Sequence, residues 1–153
     1  MKGFTLIEIL IYSVLTAFIL SMVLVPVYQI MQSSSNLDVK NATEAEANFL
    51  LRKMEWVLSS VSAINFPAAG SSSSTLSVSR INFSQNPIVF SLGNNNLTIK
   101  QGSGATATLN SQSISVSSAS FSHLAAAGNT PEAVKINLTV NSKTYQTTIY
   151  LRK

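Results

Sequence analysis

Between Ile9 and Met31 the chain reads ILIYSVLTAFILSMVLVPVYQIM, a run whose polar members are two Ser, one Thr, one Gln and the phenolic ends of two Tyr. A helix of about 20 such residues crosses a bilayer, since each residue adds about 1.5 Å and the hydrocarbon layer is roughly 30 Å thick. Immediately before the run stands Glu8, and no other charged residue follows until Asp38. Lys2 and the amino terminus are positive and the next cation is Lys40, so the positive-inside rule places the start in the cytoplasm and everything after about Gln32 outside it. The fold is thus one apolar stem plus whatever the more polar remainder can build.

That remainder is short. At 153 residues the chain has room for one modest domain besides the stem. Charged residues make up only 10%, so solubility rests on Ser, Thr and Asn rather than on a charged shell, which suits a domain outside the cytoplasm. The formal charge of +4 is spread from Lys2 to Lys153 without a dense patch able to neutralise a row of phosphates, so direct nucleic-acid binding is not indicated. Cysteine is absent, which removes disulfides and thiolate metal sites and leaves the core to hold by packing.

Three readings compete for the first segment. A secretory signal has an apolar core of about 7 to 15 residues before its cleavage site, and this run is too long for that. A plain signal anchor fits the length but leaves Glu8 unexplained, for a carboxylate at the apolar entry of a helix costs roughly 2 to 3 kcal/mol, less near the interface. The third reading rests on Gly3-Phe4-Thr5-Leu6-Ile7-Glu8, set between a two-residue basic leader and the apolar run. This stretch resembles the processing signal of type IV prepilins and pseudopilins; beyond Met31 the likeness is one of general organisation.

The resemblance implies that a prepilin peptidase of the inner membrane cuts after Gly3 and that the new amino-terminal Phe4 is methylated. It implies further that the stem leaves the lipid bilayer for a helical filament of other pilins or pseudopilins, built on an inner-membrane assembly platform. Each role has a physical basis. Gly3 has no Cβ to hinder a peptidase. In a bundle of stems the Glu8 carboxylate can meet the positive amino terminus of a neighbour's Phe4, where low dielectric strengthens the attraction and penalises an unpaired charge, favouring one axial register. Pro26 removes a helix hydrogen bond and is read as a kink. In the resembled family a proline one position earlier accompanies a bend and local melting on assembly; an ordinary membrane-helix kink accounts for Pro26 equally well.

After the polar bridge QSSSNLDVKN, the residues Ala47, Leu50, Met54, Val57, Leu58 and Val61 recur at three- and four-residue steps, the pattern of a helix with one buried stripe. One helix from about Thr5 to Ala63 is expected, weakened near Ser33 to Ser35, with Asp38 or Asn41 placed to cap a restart. Trp56 is assigned by default to the core, with an intersubunit contact as the alternative. From Pro67 the signal changes to period-two alternation, at Leu76 and Val78, at Ile88, Phe90 and Leu92, at Leu97 and Ile99, at Ile114 and Val116, and from Val134 to Val140. The segments AVKINLTV and TYQTTIYL, joined around Asn141-Ser142-Lys143, form the clearest hairpin, and the Ser tract at 71–74 reads as a surface loop.

The expected organisation is a leader at 1–3, a transmembrane or filament-core helix at 4–31, the outer half of that helix at 32–66 and a β-rich head at 67–153. This is an α+β, pilin-like fold, with a long N-terminal helix packed on a mostly antiparallel sheet.

Catalysis is not expected. His123 is the only histidine and has no cysteine to serve and no acid close in sequence to orient it, so it reads as a loop or strand-end residue. Asp38, Glu44, Glu46 and Glu55 lie on the helix with the spacing of a solvated face, and the late loop GNTPEA offers only Glu132 toward a calcium site, so no metal or cofactor is expected. The leading expectation is a non-enzymatic minor pilin or pseudopilin of a type IV pilus, type II secretion or DNA-uptake machine. It would be single-pass in the inner membrane with its head outside, and afterwards a filament subunit. The alternative is a membrane-anchored extracytoplasmic ligand-binding module, for which the helix is only a tether.

Overall fold

The computed structural model describes residues 4–151, and its architecture is α+β: one long helix followed by antiparallel strands. Helix α1 runs from Leu6 to Leu58 without interruption. The polar bridge therefore does not break it, and no restart at Asp38 or Asn41 is needed. Ser, Asn and Asp weaken a helix interior by only about 0.5 kcal/mol each, too little to stop a helix supported at its far end by packing. Pro26 lies inside the helix. The chain divides into two compact units between Asn41 and Ala42.

In the first unit Phe4 and the large apolar side chains of α1 from Leu6 through Val39 are exposed. In the second unit the helix does what its pattern predicts: Ala47, Leu50, Met54, Val57 and Leu58 are completely buried. The helix stops at Leu58 rather than at Ala63, because Val61–Phe66 forms strand β1 and the outer half of the helix does not reach residue 66. Val61 is buried as the stripe requires, but from a strand. Its three- and four-residue spacing from Leu58 and Val57 carries the helical period past the point where the backbone has turned.

The other strands are β2 (Ser72–Ser73), β3 (Thr75–Arg80), β4 (Ile88–Gly93), β5 (Asn96–Gln101), β6 (Ala107–Thr108), β7 (Val116–Leu124), β8 (Ala133–Val140) and β9 (Lys143–Tyr150). They make two antiparallel sheets rather than one, ordered β1-β3-β4-β5-β6 and β2-β7-β8-β9. The Ser tract is not a plain loop: Ser72 and Ser73 pair with Ser122 and Phe121. Ile114 is not in a strand; its amide bonds back to the Ser111 carbonyl in a turn, and β7 begins at Val116.

Two hairpins have two-residue turns. Asn94 and Asn95 join β4 to β5, Asn141 and Ser142 join β8 to β9, and all four have positive φ. A turn with both central residues at positive φ matches the twist of the paired strands, and asparagine tolerates that conformation well. Leu76, Val78, Ile88, Phe90 and Leu97 from one sheet, Val116, Phe121, Ile136, Leu138 and Val140 from the other, and the helix stripe belong to a single core cluster.

Two buried or half-buried asparagines hold the irregular segments. The Asn110 amide accepts from the Leu97 amide at 2.8 Å and donates to the Ile114 carbonyl at 2.7 Å and to Asn96 Oδ1 at 3.0 Å. Asn86 closes the loop between β3 and β4, accepting from the Arg80 amide at 2.8 Å and donating to the carbonyls of Arg80 and Phe83.

Candidate assembly segment and head surface

The described part of α1 begins with its cap. The Thr5 carbonyl accepts from the amides of Glu8 (3.1 Å) and Ile9 (3.3 Å), so Thr5 occupies the position before the first helical residue, Leu6. Glu8 is then the third helical residue, and Thr5-Leu6-Ile7-Glu8 has the spacing of a capping box. A carboxylate there also faces the positive end of the helix dipole. Tyr12, one turn further on, donates its hydroxyl to Glu8 Oε1 at 3.4 Å. Sequence reading missed Tyr12, although its four-residue spacing was the available signal.

Along the apolar run the hydroxyls of Ser13, Thr16 and Ser21 donate to the carbonyls of Leu10, Tyr12 and Phe18, so each of these three hydroxyls has its acceptor within the helix. By length and composition the helix can cross a membrane, and none of its most apolar window is buried within the molecule. Phe4 is exposed and Pro26 sits well along the run; Gly3 lies outside the described residues. No family model, curated protein or solved structure matches the chain.

The helical acids do more than cover a solvated face. Glu44 Oε1 accepts from Lys143 Nζ at 2.7 Å, and Glu46 Oε1 accepts from the Ser111 amide at 2.5 Å. Asn141 donates to Thr43 Oγ1 at 3.1 Å and accepts from the Ser115 amide at 2.9 Å. The β8–β9 hairpin tip is thereby tied to the second-unit end of α1. The Glu44 hydrogen bond raises the Lys143 pKa above its usual 10.5, so whatever this pair adds is present below pH 10.5 and is lost as pH rises through the raised value. Both partners are well exposed, which keeps the contribution small and salt-sensitive.

His123 sits at a strand end, one residue before Leu124 closes β7, but it is buried, because β7 is an inner strand of the second sheet. Its Nδ1 lies 2.9 Å from the Pro67 carbonyl, and since a carbonyl only accepts, Nδ1 carries the hydrogen. Its Nε2 lies 2.6 Å from Glu132 Oε1, nine residues away, in the loop before β8. Both ring nitrogens are thus engaged in tying the Pro67 and Glu132 loops to β7, and neither is free to take a proton from a serine. Glu132→Ala is expected to lower stability by about 1.5 to 3 kcal/mol, because it strands a buried imidazole nitrogen; Glu132→Gln should cost about half as much, since the amide keeps a neutral hydrogen bond. Urea midpoints of the two variants measure the difference.

Trp56 is not in the core. The residue is 44% exposed, and Phe83 meets its ring edge-on at 6.5 Å between centroids. The alternating 50/54/57/58 stripe already fills the buried face of α1, which leaves position 56 pointing outward. On a neighbouring face Leu51, Glu55 and Ser59 line one wall of a groove of about 530 Å³, whose other wall is Thr147–Tyr150 of the edge strand β9. Among the described residues no three His, Asp or Glu side chains converge as a metal site.

Proposed function

We propose that the protein is a non-enzymatic filament subunit of the pilin or pseudopilin type, made as a precursor, cleaved after Gly3, methylated on Phe4 and assembled through its apolar stem. The observation that carries this reading is Glu8: an acid at the entry of an otherwise uncharged apolar run, directly behind Gly3-Phe4. Lipid supplies no cation for it, and a neighbour's freed amino terminus does. The stem's exposed apolar surface supports the same reading, because side chains from Leu6 to Met31 need either lipid or other stems around them. The polar head then faces outward from the inner membrane before assembly and from the filament afterwards.

Mass spectrometry and amino-terminal sequencing of the protein extracted from its native membrane test the reading. The expected mature chain starts at methylated Phe4, and the precursor accumulates when prepilin peptidase is deleted. A mature chain that still begins at Met1 supports instead a tethered binding module, with the groove between α1 and β9 as its natural ligand site.

A further inference from the structure

Trp56 is the chain's only tryptophan, and two cations crowd it. The Arg80 guanidinium carbon stands 4.1 Å from the ring centroid and Lys53 Nζ stands 4.7 Å from it. Arg80 also lies 5.6 Å from the Phe83 centroid. Aromatic faces attract cations but do not neutralise them. Among the described residues no ion pair joins a carboxylate to Arg80 or Lys53. The Arg80 Nε is moreover buried with no hydrogen-bond partner. An exposed tryptophan, an arginine and a phenylalanine grouped without an anion have the composition of an interface hot spot. Ile81, beside Arg80 in the chain, is 52% exposed and adds apolar area.

We propose that this patch is a docking site between copies of the chain, occupied by the Asp38 stretch of α1 from a second copy. The proposal rests on the filament reading and adds the surface through which one copy's head meets the stem of the next. The choice of occupant follows from the acids. Glu44, Glu46 and Glu132 are engaged within the head, and Glu8 stands at the apolar entry of the stem. Asp38 and Glu55 remain. Glu55 is adjacent to Trp56, so pairing it with a second copy's Arg80 would be a reciprocal contact that closes a dimer. A filament needs a contact between two different surfaces, which propagates. Asp38 belongs to the other unit, is exposed, and has exposed Leu37 beside it, a side chain able to cover part of Trp56 or Ile81 while the carboxylate meets Arg80.

The native chain has no cysteine, so single-cysteine copies can be cross-linked without background. Two differently tagged full-length copies are co-expressed in the native membrane, one carrying Val39→Cys and the other Ile81→Cys, and treated with a short bismaleimide. A mixed cross-linked dimer is expected. It should fall about tenfold when Arg80→Glu is added to the second copy and return when Asp38→Arg is added to the first, the behaviour of a reversed charge pair. The emission of Trp56 in each purified variant reports whether the patch is still folded. Cross-links between two Ile81→Cys copies, or none between Val39→Cys and Ile81→Cys while the unmodified chain enters sheared filaments, overturn the docking proposal alone. An unmodified chain that never enters filaments overturns the filament reading, and the docking site falls with it.

Discussion

Glu8→Val should insert into the membrane at least as well as the native chain, be cleaved after Gly3, and then fail to enter filaments, with incorporation reduced by two orders of magnitude or more. The insertion result follows from removing a carboxylate from the apolar entry. On the filament reading, the assembly result follows from leaving a neighbour's amino terminus unpaired at low dielectric, which costs about 3 to 5 kcal/mol, or roughly two to three and a half decades in an equilibrium. The structure adds a complication that the variant set must resolve. Glu8 also sits in the first turn of α1 at capping-box spacing and accepts a hydrogen bond from Tyr12, so loss of assembly in Glu8→Val alone would not separate charge pairing from a weakened helix start. Glu8→Gln separates them. It keeps the size and an acceptor for Tyr12 but carries no charge. Filament content after shearing, compared across Glu8→Val, Glu8→Gln and Tyr12→Phe, should show the first two depleted alike and the third near native. If Glu8→Gln assembles normally, the acid serves the helix cap and the register role is wrong.

How much was legible differs between the two units for a physical reason. In the stem the composition is uniformly apolar, so composition alone specifies an apolar helix, and the one discordant residue, Glu8, stands out at once. What stayed hidden there was local: Tyr12 reaching back to Glu8, and the hydroxyls of Ser13, Thr16 and Ser21 folded onto the helix backbone. In the head, strands with one buried face declared themselves by alternation, as did turns that need positive φ at asparagine. Val61–Phe66 did not, because Val61 continues the helical stripe and the switch to a strand depends on pairing with Thr75–Arg80, which no local pattern encodes.

The division into two sheets was likewise invisible, since alternation says which side chains are buried and not which strand is the neighbour. His123 and Glu132 illustrate the same limit. They are separated by a loop in sequence and brought to 2.6 Å only by the register of β7 against β8, which sets His123 opposite Val134. Trp56 went astray in the opposite direction: large aromatic residues are usually counted as core, and here the helix face was already filled.

Phe121→Ala should unfold the head at markedly lower temperature or denaturant than the native chain, by about 3 to 5 kcal/mol. Phe121 is completely buried in β7, the strand that pairs with both β2 and β8 and contacts β3, β4 and β5 of the other sheet. Deleting its ring removes apolar contact at the place where the two sheets meet, and the surrounding strands, pinned by their ladders, can close only part of the cavity. A head of this size stands to lose a large share of its total stability, which for small domains is only about 5 to 15 kcal/mol. The melting temperature should drop on the order of 15 °C, since each kcal/mol moves a domain of this size by about 4 °C. Phe121→Leu keeps most of the volume and should lose about 1.5 kcal/mol or less. Thermal melts of the detergent-solubilised full chain, followed at Trp56, make the comparison, because the β1–β3–β4 region holding Arg80 and Phe83 surrounds that indole. Equal melting of Phe121→Ala and the native chain would mean that the sheets are not joined through β7, and that the head is two separately held layers.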